Sequence, residues 1–328
     1  MEKIRWGVLS TGKIAHTFAK ALQAVEGAEL YAVSSRSAEK AAEFAKQYGF
    51  EKSYGSAAEM LADPKVDVVY ICSPMSCHYA DSLACLNAGK NVLCEKTLTL
   101  NGSQLDEILE LAQRKNLFFM EAMWMKCLPA FLQAKSWVEE GRIGNIKLIK
   151  ADFLSLCEDD PENRLFRNDL GGGALLDLGV YPITLAMSIL GNFPESISAV
   201  GVMKNGVDYD TMITLRYSNG ASAALACGFD CKGDNGAYII GEKGMISLEN
   251  WFFCEQTARL YDSGNRLIEE RYFPHKPNGY EHEIIEVNRC LNEGLKQSPL
   301  VPQHESRCVM TVIDEVKRQL GLKFDGEK

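Results

Sequence analysis

Three side chains capable of acid–base chemistry, Lys96, Asp177 and Tyr181, occupy positions that should direct them toward a ligand. Lys96 follows Glu95 directly after the apolar segment NVLC, and α/β proteins bind ligands at the carboxyl ends of parallel strands. Asp177 and Tyr181 are four residues apart in GGGALLDLGVYPI, so they share one face of a predicted helix. An ammonium group can stabilise negative charge, and a phenol beside such a cation can exchange a proton. These residues predict acid–base chemistry at an oxygen atom of a small ligand.

The same residues also have a structural interpretation. Lysines such as Lys96 are usually solvated at the surface. A tyrosine that is hydrogen-bonded to an aspartate, as Tyr181 and Asp177 could be, is an ordinary feature of protein cores. The residue types alone leave both interpretations open.

The segment IRWGVLSTGKIAHTF has the pattern of a strand, a tight turn and a helix. Ser10, Gly12 and Ala15 occupy the three positions of the G-x-G-x-x-G fingerprint, and only the central one is glycine. That glycine allows the backbone to approach a pyrophosphate, which the N–H groups at the start of the helix can hold. The alternative is an ordinary strand-to-helix turn. Because a βαβ pattern follows, we predict a dinucleotide site built by Ser10, Thr11, Gly12, Lys13 and Ile14.

The end of the second predicted strand indicates which dinucleotide is bound. An NAD site usually has an acidic residue there, about 20 residues past the glycines. This strand instead ends in AVSSRS, which contains no carboxylate. Ser35 and Arg36 suit a 2′-phosphate, so the sequence favours NADP and leaves NAD possible.

Other residues are predicted to line the same edge of the sheet. Ser73, Pro74 and His78 follow the apolar run VDVVYIC, and Glu95 and Lys96 follow the next strand along the chain. We predict that all five contact the cofactor. His78 is interpreted as structural or cofactor-lining rather than catalytic.

Two residues are predicted to line the substrate cleft. They are Trp124 and Arg167. An aromatic face such as that of Trp124 suits the C–H surface of a sugar and an arene diol equally well, so it does not choose between these substrates.

Composition excludes several classes of protein. The chain has 328 residues, a length typical of two domains. Its net charge of −9 and the absence of a basic run argue against nucleic acid and anionic membranes as partners. We expect that every apolar stretch is shorter than the roughly 20 residues that a membrane-spanning helix needs. The opening MEKIRWGVLSTG does not have the pattern of a signal peptide.

The cysteines indicate a reducing compartment, and we therefore expect a cytoplasmic protein. There are 11, an odd number, and most lie in apolar segments. Cys72, Cys77 and His78 form one cluster, and Cys227 with Cys231 forms another, but neither has the paired C-x-x-C spacing of structural zinc. No metal site is predicted.

The first third of the chain alternates apolar strands with amphipathic helices. Strands without polar alternation that are joined by helices are typical of a parallel sheet covered on both faces. We predict an α/β, doubly wound Rossmann domain over residues 1–122. Its strands are predicted at 3–9, 29–34, 66–72, 91–94 and 117–120, and its main helices at 14–25, 38–48, 78–88 and 102–115.

The pattern changes after residue 123, and we predict an α+β domain over residues 123–328. A glycine-led apolar helix spans 172–190, and two helices close the chain at 280–295 and 305–321. Between them, turn signals such as Lys204-Asn205-Gly206 separate short strands and predict an antiparallel sheet. Those strands are predicted at 197–203, 208–217, 221–229, 237–241 and 245–249.

Several long segments, in order along nearly the whole chain, resemble the Gfo/Idh/MocA oxidoreductases, and within that family the group of dimeric dihydrodiol dehydrogenases and NADP-dependent D-xylose dehydrogenases. They are WGVLSTGKIA, ICSPMSCHY, VLCEKTLTLN, EAMWMKCLP, FRNDLGGGALLDLGVYPI and GYEHEIIEVNRCL. The resemblance implies that Lys96, in an E-K-P motif, is catalytic and that Asp177 and Tyr181, in a D-x-G-x-Y-P pattern, belong to the active site. It also implies a large open sheet in the second domain and a homodimer formed through that sheet.

This chain departs from the family pattern at two positions. Thr97 replaces the proline of E-K-P, and proline restricts the residue before it. Lys126 stands where related sequences often have arginine, so a planar two-pronged contact becomes a point charge. Both departures bear on the substrate more than on the class of reaction.

The resulting hypothesis is an NAD(P)-dependent oxidoreductase that transfers hydride between a nicotinamide cofactor and a secondary alcohol of a sugar or cyclic trans-diol. We expect the nicotinamide to lie over the cleft between the domains, where Tyr181 takes the hydroxyl proton, Lys96 stabilises the alkoxide and Asp177 orients one of them. The roles of Lys96 and Tyr181 could be exchanged. A dinucleotide-binding regulator or sensor without turnover is the alternative function.

Overall fold

A computed structural model describes residues 2–158, 160–191, 193–325 and 327. Its strands are β1 (Ile4–Leu9), β2 (Ala28–Ser34), β3 (Lys52–Tyr54), β4 (Val68–Ile71), β5 (Asn91–Glu95), β6 (Phe119–Ala122), β7 (Ile146–Leu154), β8 (Ser196–Lys204), β9 (Val207–Arg216), β10 (Ser222–Gly228), β11 (Ala237–Gly241), β12 (Gly244–Leu248), β13 (Thr257–Asp262) and β14 (Leu267–Tyr272). Its helices are α1 (Lys13–Ala24), α2 (Ala38–Tyr48), α3 (Ala57–Leu61), α4 (Met75–Asn87), α5 (Gly102–Lys115), α6 (Pro129–Glu139), α7 (Val180–Leu190), α8 (Glu281–Asn292) and α9 (Gln303–Leu320).

The chain divides into two units. The first comprises Met1–Thr99, Ser103–Cys127 and His275–Gln303, and the second comprises Leu100–Gly102, Leu128–Pro274 and His304–Lys328. The sequence-based division after residue 122 differs from this one, because it assigned 100–102 to the first domain and both 123–127 and 275–303 to the second. Helix α8 belongs to the first unit, where the indole Nε1 of Trp6 donates a 3.0 Å hydrogen bond to Oδ1 of Asn288.

The first unit contains a six-stranded sheet in the order β3-β2-β1-β4-β5-β6, with every pair parallel. All four residues of β4 and of β6 are buried, as expected for strands covered on both faces. This sheet confirms the predicted doubly wound α/β fold.

Strand order reverses at β1, which lies between β2 and β4. Leu9 at the end of β1 is paired with Ile71 at the end of β4, so the segments that follow these residues start side by side. The N–H of Cys72 donates to the carbonyl of Leu9 at 3.2 Å. Such a reversal point opens a crevice at the carboxyl edge of the sheet, where α/β proteins bind ligands.

The second unit contains an eight-stranded sheet in the order β14-β13-β12-β11-β7-β10-β9-β8. Strands β7 and β10 are parallel, and the other neighbours are antiparallel. The large, mainly antiparallel sheet is confirmed. Sequence analysis missed the short β3 in the first unit and β7, β13, β14 and α6 in the second. In β14 every residue is exposed except one, so the strand LIEERY lacks the buried apolar face that identifies a strand.

The predicted helix at 172–190 is present in two parts. Residues Leu175–Gly179 form a single π-helical turn, and α7 continues from Val180 to Leu190. A π turn inserts one extra residue into a helix and is often found at functional sites. Asp177 lies within this turn, and Tyr181 lies in the first turn of α7.

The stretch Asn168–Leu190 is long and apolar enough, by length and composition, to cross a membrane. Our expectation that every apolar stretch is too short is therefore wrong. In this structure 78% of its most apolar window is buried, as is usual for the central helix of a folded unit.

Candidate active site

The predicted phosphate loop joins β1 to α1. Gly12 precedes the helix with φ −71° and ψ 177°, and no side chain caps the first turn. Other residues can adopt this conformation, and a Cβ added here would meet only Ser10 Oγ at 3.7 Å and the Cys72 carbonyl at 4.0 Å. The folded chain thus does not need glycine at this position. What glycine provides is unobstructed access to the N–H groups at the start of α1, which fits a pyrophosphate.

Ser10 occupies the first position of the fingerprint with a φ of +97°, a region that favours glycine. Its N–H donates to the carbonyl of Ser34 at 3.0 Å, which holds the turn against the end of β2. The turn therefore keeps the left-handed conformation of the fingerprint although it lacks the first glycine.

The end of β2 is connected to the phosphate loop. The hydroxyl of Thr11 donates to Ser35 Oγ at 3.4 Å, and Ser35 Oγ accepts a second hydrogen bond from the N–H of Ser37 at 3.4 Å. Arg36, between them, is exposed. Ser37 caps α2 by accepting from the N–H of Lys40. The edge beside the loop thus offers one guanidinium and a fixed hydroxyl group.

His78 connects the ends of two strands. The ring is buried, with Nδ1 2.9 Å from the carbonyl of Thr97 and Nε2 2.9 Å from the carbonyl of Ser73. Burial lowers the pKa of His78, so the neutral ring donates to one carbonyl at a time. This geometry favours a structural role for the ring over a catalytic one. His78 holds the segment after β4 next to the segment that follows Lys96.

Glu95 is fixed immediately before Lys96. The Tyr70 hydroxyl donates to Glu95 Oε1 at 2.5 Å, and the N–H of Lys96 donates to Oε2 at 3.2 Å. The Lys96–Thr97 peptide bond is cis. Behind this pair, burial and the charge of Glu95 raise the pKa of the fully buried Glu283 well above its usual value. Sequence analysis missed Tyr70 and Glu283, because nothing local indicates that they approach Glu95.

The first unit therefore brings the predicted cofactor residues to one edge. They follow the carboxyl ends of four neighbouring strands, β2, β1, β4 and β5. These residues are Ser10, Thr11, Gly12, Lys13, Ile14, Ser35, Arg36, Ser73, Pro74, His78, Glu95 and Lys96.

Trp124 follows β6 and is 5% exposed. Its indole stacks on Tyr280, with ring centroids 4.3 Å apart and an interplanar angle of 12°. Gly279 lies against the same indole, since a Cβ there would be 2.7 Å from Cζ3 of Trp124. Lys126, which departs from the family pattern, is 3% exposed.

In the second unit, Asp177 and Tyr181 are both mostly buried. The Asp177 side chain is 14% exposed, and its Oδ1 accepts from both terminal nitrogens of Arg164 at 3.3 Å. Tyr181 is 4% exposed, and its ring packs on Phe153 and Phe253 with centroids 5.7 Å and 5.0 Å away.

Arg167, predicted to line the substrate cleft, forms a two-pronged ion pair with Asp169, at 3.0 Å and 2.6 Å. Asp177 instead interacts with Arg164, which sequence analysis did not single out. The two arginines are three residues apart in one polar loop, so their sequence context does not distinguish their roles.

Asp208 was also missed, although it supports the start of the helix that carries Asp177 and Tyr181. Its Oδ2 accepts from the N–H of Leu175 and from the hydroxyl of Thr211, both at 2.8 Å. Gly173, with a φ of +111°, makes room for the other oxygen, which would collide with a Cβ at that position. Burial raises the pKa of Asp208 to about 6.

This pKa predicts a pH-dependent stability. Because the folded pKa lies above the unfolded value of 3.8, the protonated acid stabilises the fold fully below pH about 4, and this contribution is lost as the pH rises through about 6. At 1.36 kcal/mol per pKa unit, the free energy of unfolding should fall by roughly 3 kcal/mol relative to Asp208→Asn. Urea unfolding of both proteins between pH 4 and pH 8 measures this difference. A difference that stays constant over this range would contradict it.

Comparisons with known proteins show the family to which this chain belongs. The Gfo/Idh/MocA oxidoreductase family, with an NAD-binding Rossmann fold, matches residues 4–123, and its C-terminal domain matches residues 131–247. Trans-1,2-dihydrobenzene-1,2-diol dehydrogenase from Danio rerio is 34% identical over 98% of this chain and 98% of that protein. The enzyme of the same name from Homo sapiens is 33% identical over 99% of both chains.

A solved structure shows the same architecture. The 3-ketoreductase KijD10 from Actinomadura kijaniata, in complex with NADP and TDP-benzene, superposes with a TM-score of 0.85 at 25% identity and covers 97% of this chain and 98% of that one. Full-length similarity, two matching domains and the shared fold together show that this chain belongs to the Gfo/Idh/MocA family of NAD(P)-binding oxidoreductases.

Proposed function

We propose that this chain is a dehydrogenase that transfers hydride between a nicotinamide cofactor and a secondary alcohol of a sugar or cyclic trans-diol. The observation that carries the proposal is the single sheet edge that holds both the open phosphate loop at Gly12 and the Glu95–Lys96 pair. The relatives reported above are named as a diol dehydrogenase and a ketoreductase. They give no support to a sensor without turnover.

The residues at this edge favour NADP within that proposal. Ser35 and the exposed Arg36 lie at the end of β2, where a carboxylate would select NAD. The N–H groups at the start of α1 would hold the pyrophosphate, and Ser35 with Arg36 would hold the 2′-phosphate. KijD10 has been solved with NADP.

The cofactor's nicotinamide ring supplies the hydride acceptor or donor. We assign proton transfer with the substrate hydroxyl to Tyr181 and stabilisation of the alkoxide to the ammonium of Lys96. Asp177, held by Arg164, orients the helix face that carries Tyr181. The exchanged assignment, with Lys96 as the acid–base group, stays open. Trp124 and Arg167 are proposed to contact the substrate.

We extend the proposal to a cytoplasmic homodimer formed through the open sheet. Strands β8 and β9 expose several apolar side chains, and exposed apolar groups on a sheet face often mark a protein interface. They are Val200, Val202 and Met212, which are 69%, 56% and 62% exposed. The cytoplasmic location is proposed because the 11 cysteines are odd in number and most of them are buried, as small apolar side chains are.

Absorbance at 340 nm tests the function. Purified protein is mixed with NADP or NAD and offered pentoses, hexoses and cyclic trans-diols. Formation of reduced cofactor with at least one sugar or diol is the expected result. Cofactor that binds but is never reduced across the panel would contradict turnover and would favour the sensor.

Arg36→Ala tests the preference for NADP. Loss of one charge-assisted contact with a phosphate should lower kcat/KM for NADP by about tenfold and leave that for NAD nearly unchanged. The exposed Lys40, also near the start of α2, provides a matched control through Lys40→Ala. If Arg36→Ala lowers kcat/KM for NADP and for NAD equally, Arg36 does not recognise the 2′-phosphate.

A further inference from the structure

Outside the candidate active site, two histidines and a carboxylate cluster at the start of α8. His275, Glu281 and His282 each offer one ligand atom, and these atoms all lie within 4.8 Å of one another. Nε2 of His282 is 3.7 Å from Oε1 of Glu281. We propose that these three residues form a binding site for a divalent transition metal ion, with Zn²⁺ as the favoured ion.

The donor set matches the chemistry of such ions. Imidazole nitrogen and carboxylate oxygen are good ligands for Zn²⁺, which often takes three protein ligands and one water. A hard cation such as Ca²⁺ would prefer oxygen ligands alone. The donors are also brought together by local structure, because Glu281 and His282 are adjacent and His275 lies only six residues before Glu281.

The Glu281 carboxylate is fixed in place before any ion binds. It is 4% exposed, and its oxygens accept hydrogen bonds from the N–H groups of Lys276, Asn278 and Gly279. Three backbone N–H donors favour the ionised form of this carboxylate. Each carboxylate oxygen has two lone pairs. Oε2 accepts from Asn278 and Gly279 and Oε1 accepts from Lys276, which leaves one lone pair of Oε1 for a metal bond.

His282 is poised as a second ligand. Its Nε2 is buried and has no hydrogen-bond partner among the residues that the structure describes. The rings of His275 and His282 lie 6.1 Å apart, centroid to centroid, in an edge-on arrangement. A buried nitrogen without a partner is costly, and a metal bond would satisfy it.

The ion would fix the loop that packs on Trp124. A Cβ at Gly279, between His275 and Glu281, would be 2.7 Å from the indole and 3.2 Å from Nε2 of His275. Gly279 is therefore in direct contact with the proposed ligand His275 on one side and with Trp124 on the other. A bound ion would thus hold in place one wall of the aromatic stack formed by Trp124 and Tyr280.

Metal titration of the full-length protein tests this site. After treatment with EDTA and dialysis, the protein is titrated with Co²⁺ and then with Zn²⁺. We expect one equivalent of Co²⁺ to give the visible absorption of nitrogen and oxygen ligation without the near-ultraviolet band of cobalt thiolates, and Zn²⁺ to displace it. Zn²⁺ should also raise the melting temperature. A thiolate band, or no binding at all, would overturn the proposal.

Variants locate the ion. His282→Gln and, independently, His275→Gln should each weaken Zn²⁺ binding by at least about tenfold. His304→Gln, at an exposed histidine of α9, is the matched control and should bind like the parent. Melting temperatures in EDTA verify that each variant folds. Unchanged Zn²⁺ affinity in both folded variants would show that these histidines are not ligands.

Discussion

Tyr181→Phe and Lys96→Met should each lower kcat by about 100- to 10,000-fold on the true substrate, the range that a positioned acid–base group contributes. Phenylalanine keeps the ring that packs on Phe153 and Phe253, so the variant loses only the hydroxyl. Methionine keeps most of the length of lysine without its charge. Steady-state kinetics on the substrate identified at 340 nm measure both effects.

Matched controls separate chemistry from folding in this experiment. Tyr209→Phe removes a hydroxyl from a buried tyrosine that stacks on Phe166, and Lys65→Met removes an exposed charge. Both should retain normal kcat. The pH profile then separates the two assignments, since the variant of the true acid–base group should lose the ionisation that controls kcat. Near-normal kcat in both Tyr181→Phe and Lys96→Met would mean that the catalytic assignment is wrong.

Gly12→Ala should weaken binding of NADP and of NAD by about 100-fold, which corresponds to about 2.7 kcal/mol. The added methyl group occupies the space through which a pyrophosphate reaches the N–H groups of α1. Isothermal titration with each nucleotide measures the change.

The structure also predicts that Gly12→Ala folds normally. Gly12 has an ordinary φ of −71°, and the nearest atom to an added Cβ is 3.7 Å away. The melting temperature without nucleotide should therefore match that of the parent. A much lower melting temperature would mean that weak binding results from misfolding. Unchanged nucleotide affinity would show that the loop at Gly12 does not bind the pyrophosphate.

Local patterns were sufficient to predict the parallel sheet of the first unit and five of its six strands, but not the short β3. The segment VVYI is buried at all four positions, and such runs between amphipathic helices indicate a parallel sheet. Local sequence patterns were not sufficient to assign α8 to one of the two units. The Trp6–Asn288 hydrogen bond joins residues 282 positions apart, and no short-range pattern carries that information.

The same distinction applies to the candidate site. Lys96 and Gly12 could be placed from sequence, because the carboxyl ends of parallel strands meet at one edge of the sheet. Asp208 could not, since its role depends on a hydrogen bond to Leu175, 33 residues away, and on the space left by Gly173. Arg164 and Arg167 share one loop, and only the folded chain shows which of them interacts with Asp177.

Transfer of deuterium tests the central claim most directly. Protein and oxidised cofactor are mixed with a substrate that carries deuterium on its carbinol carbon, and the cofactor is then analysed by mass spectrometry and NMR. If this chain is the proposed dehydrogenase, the deuterium appears at C4 of the reduced nicotinamide. Cofactor that stays bound, oxidised and unlabelled with every sugar and diol that binds to the protein would contradict the account.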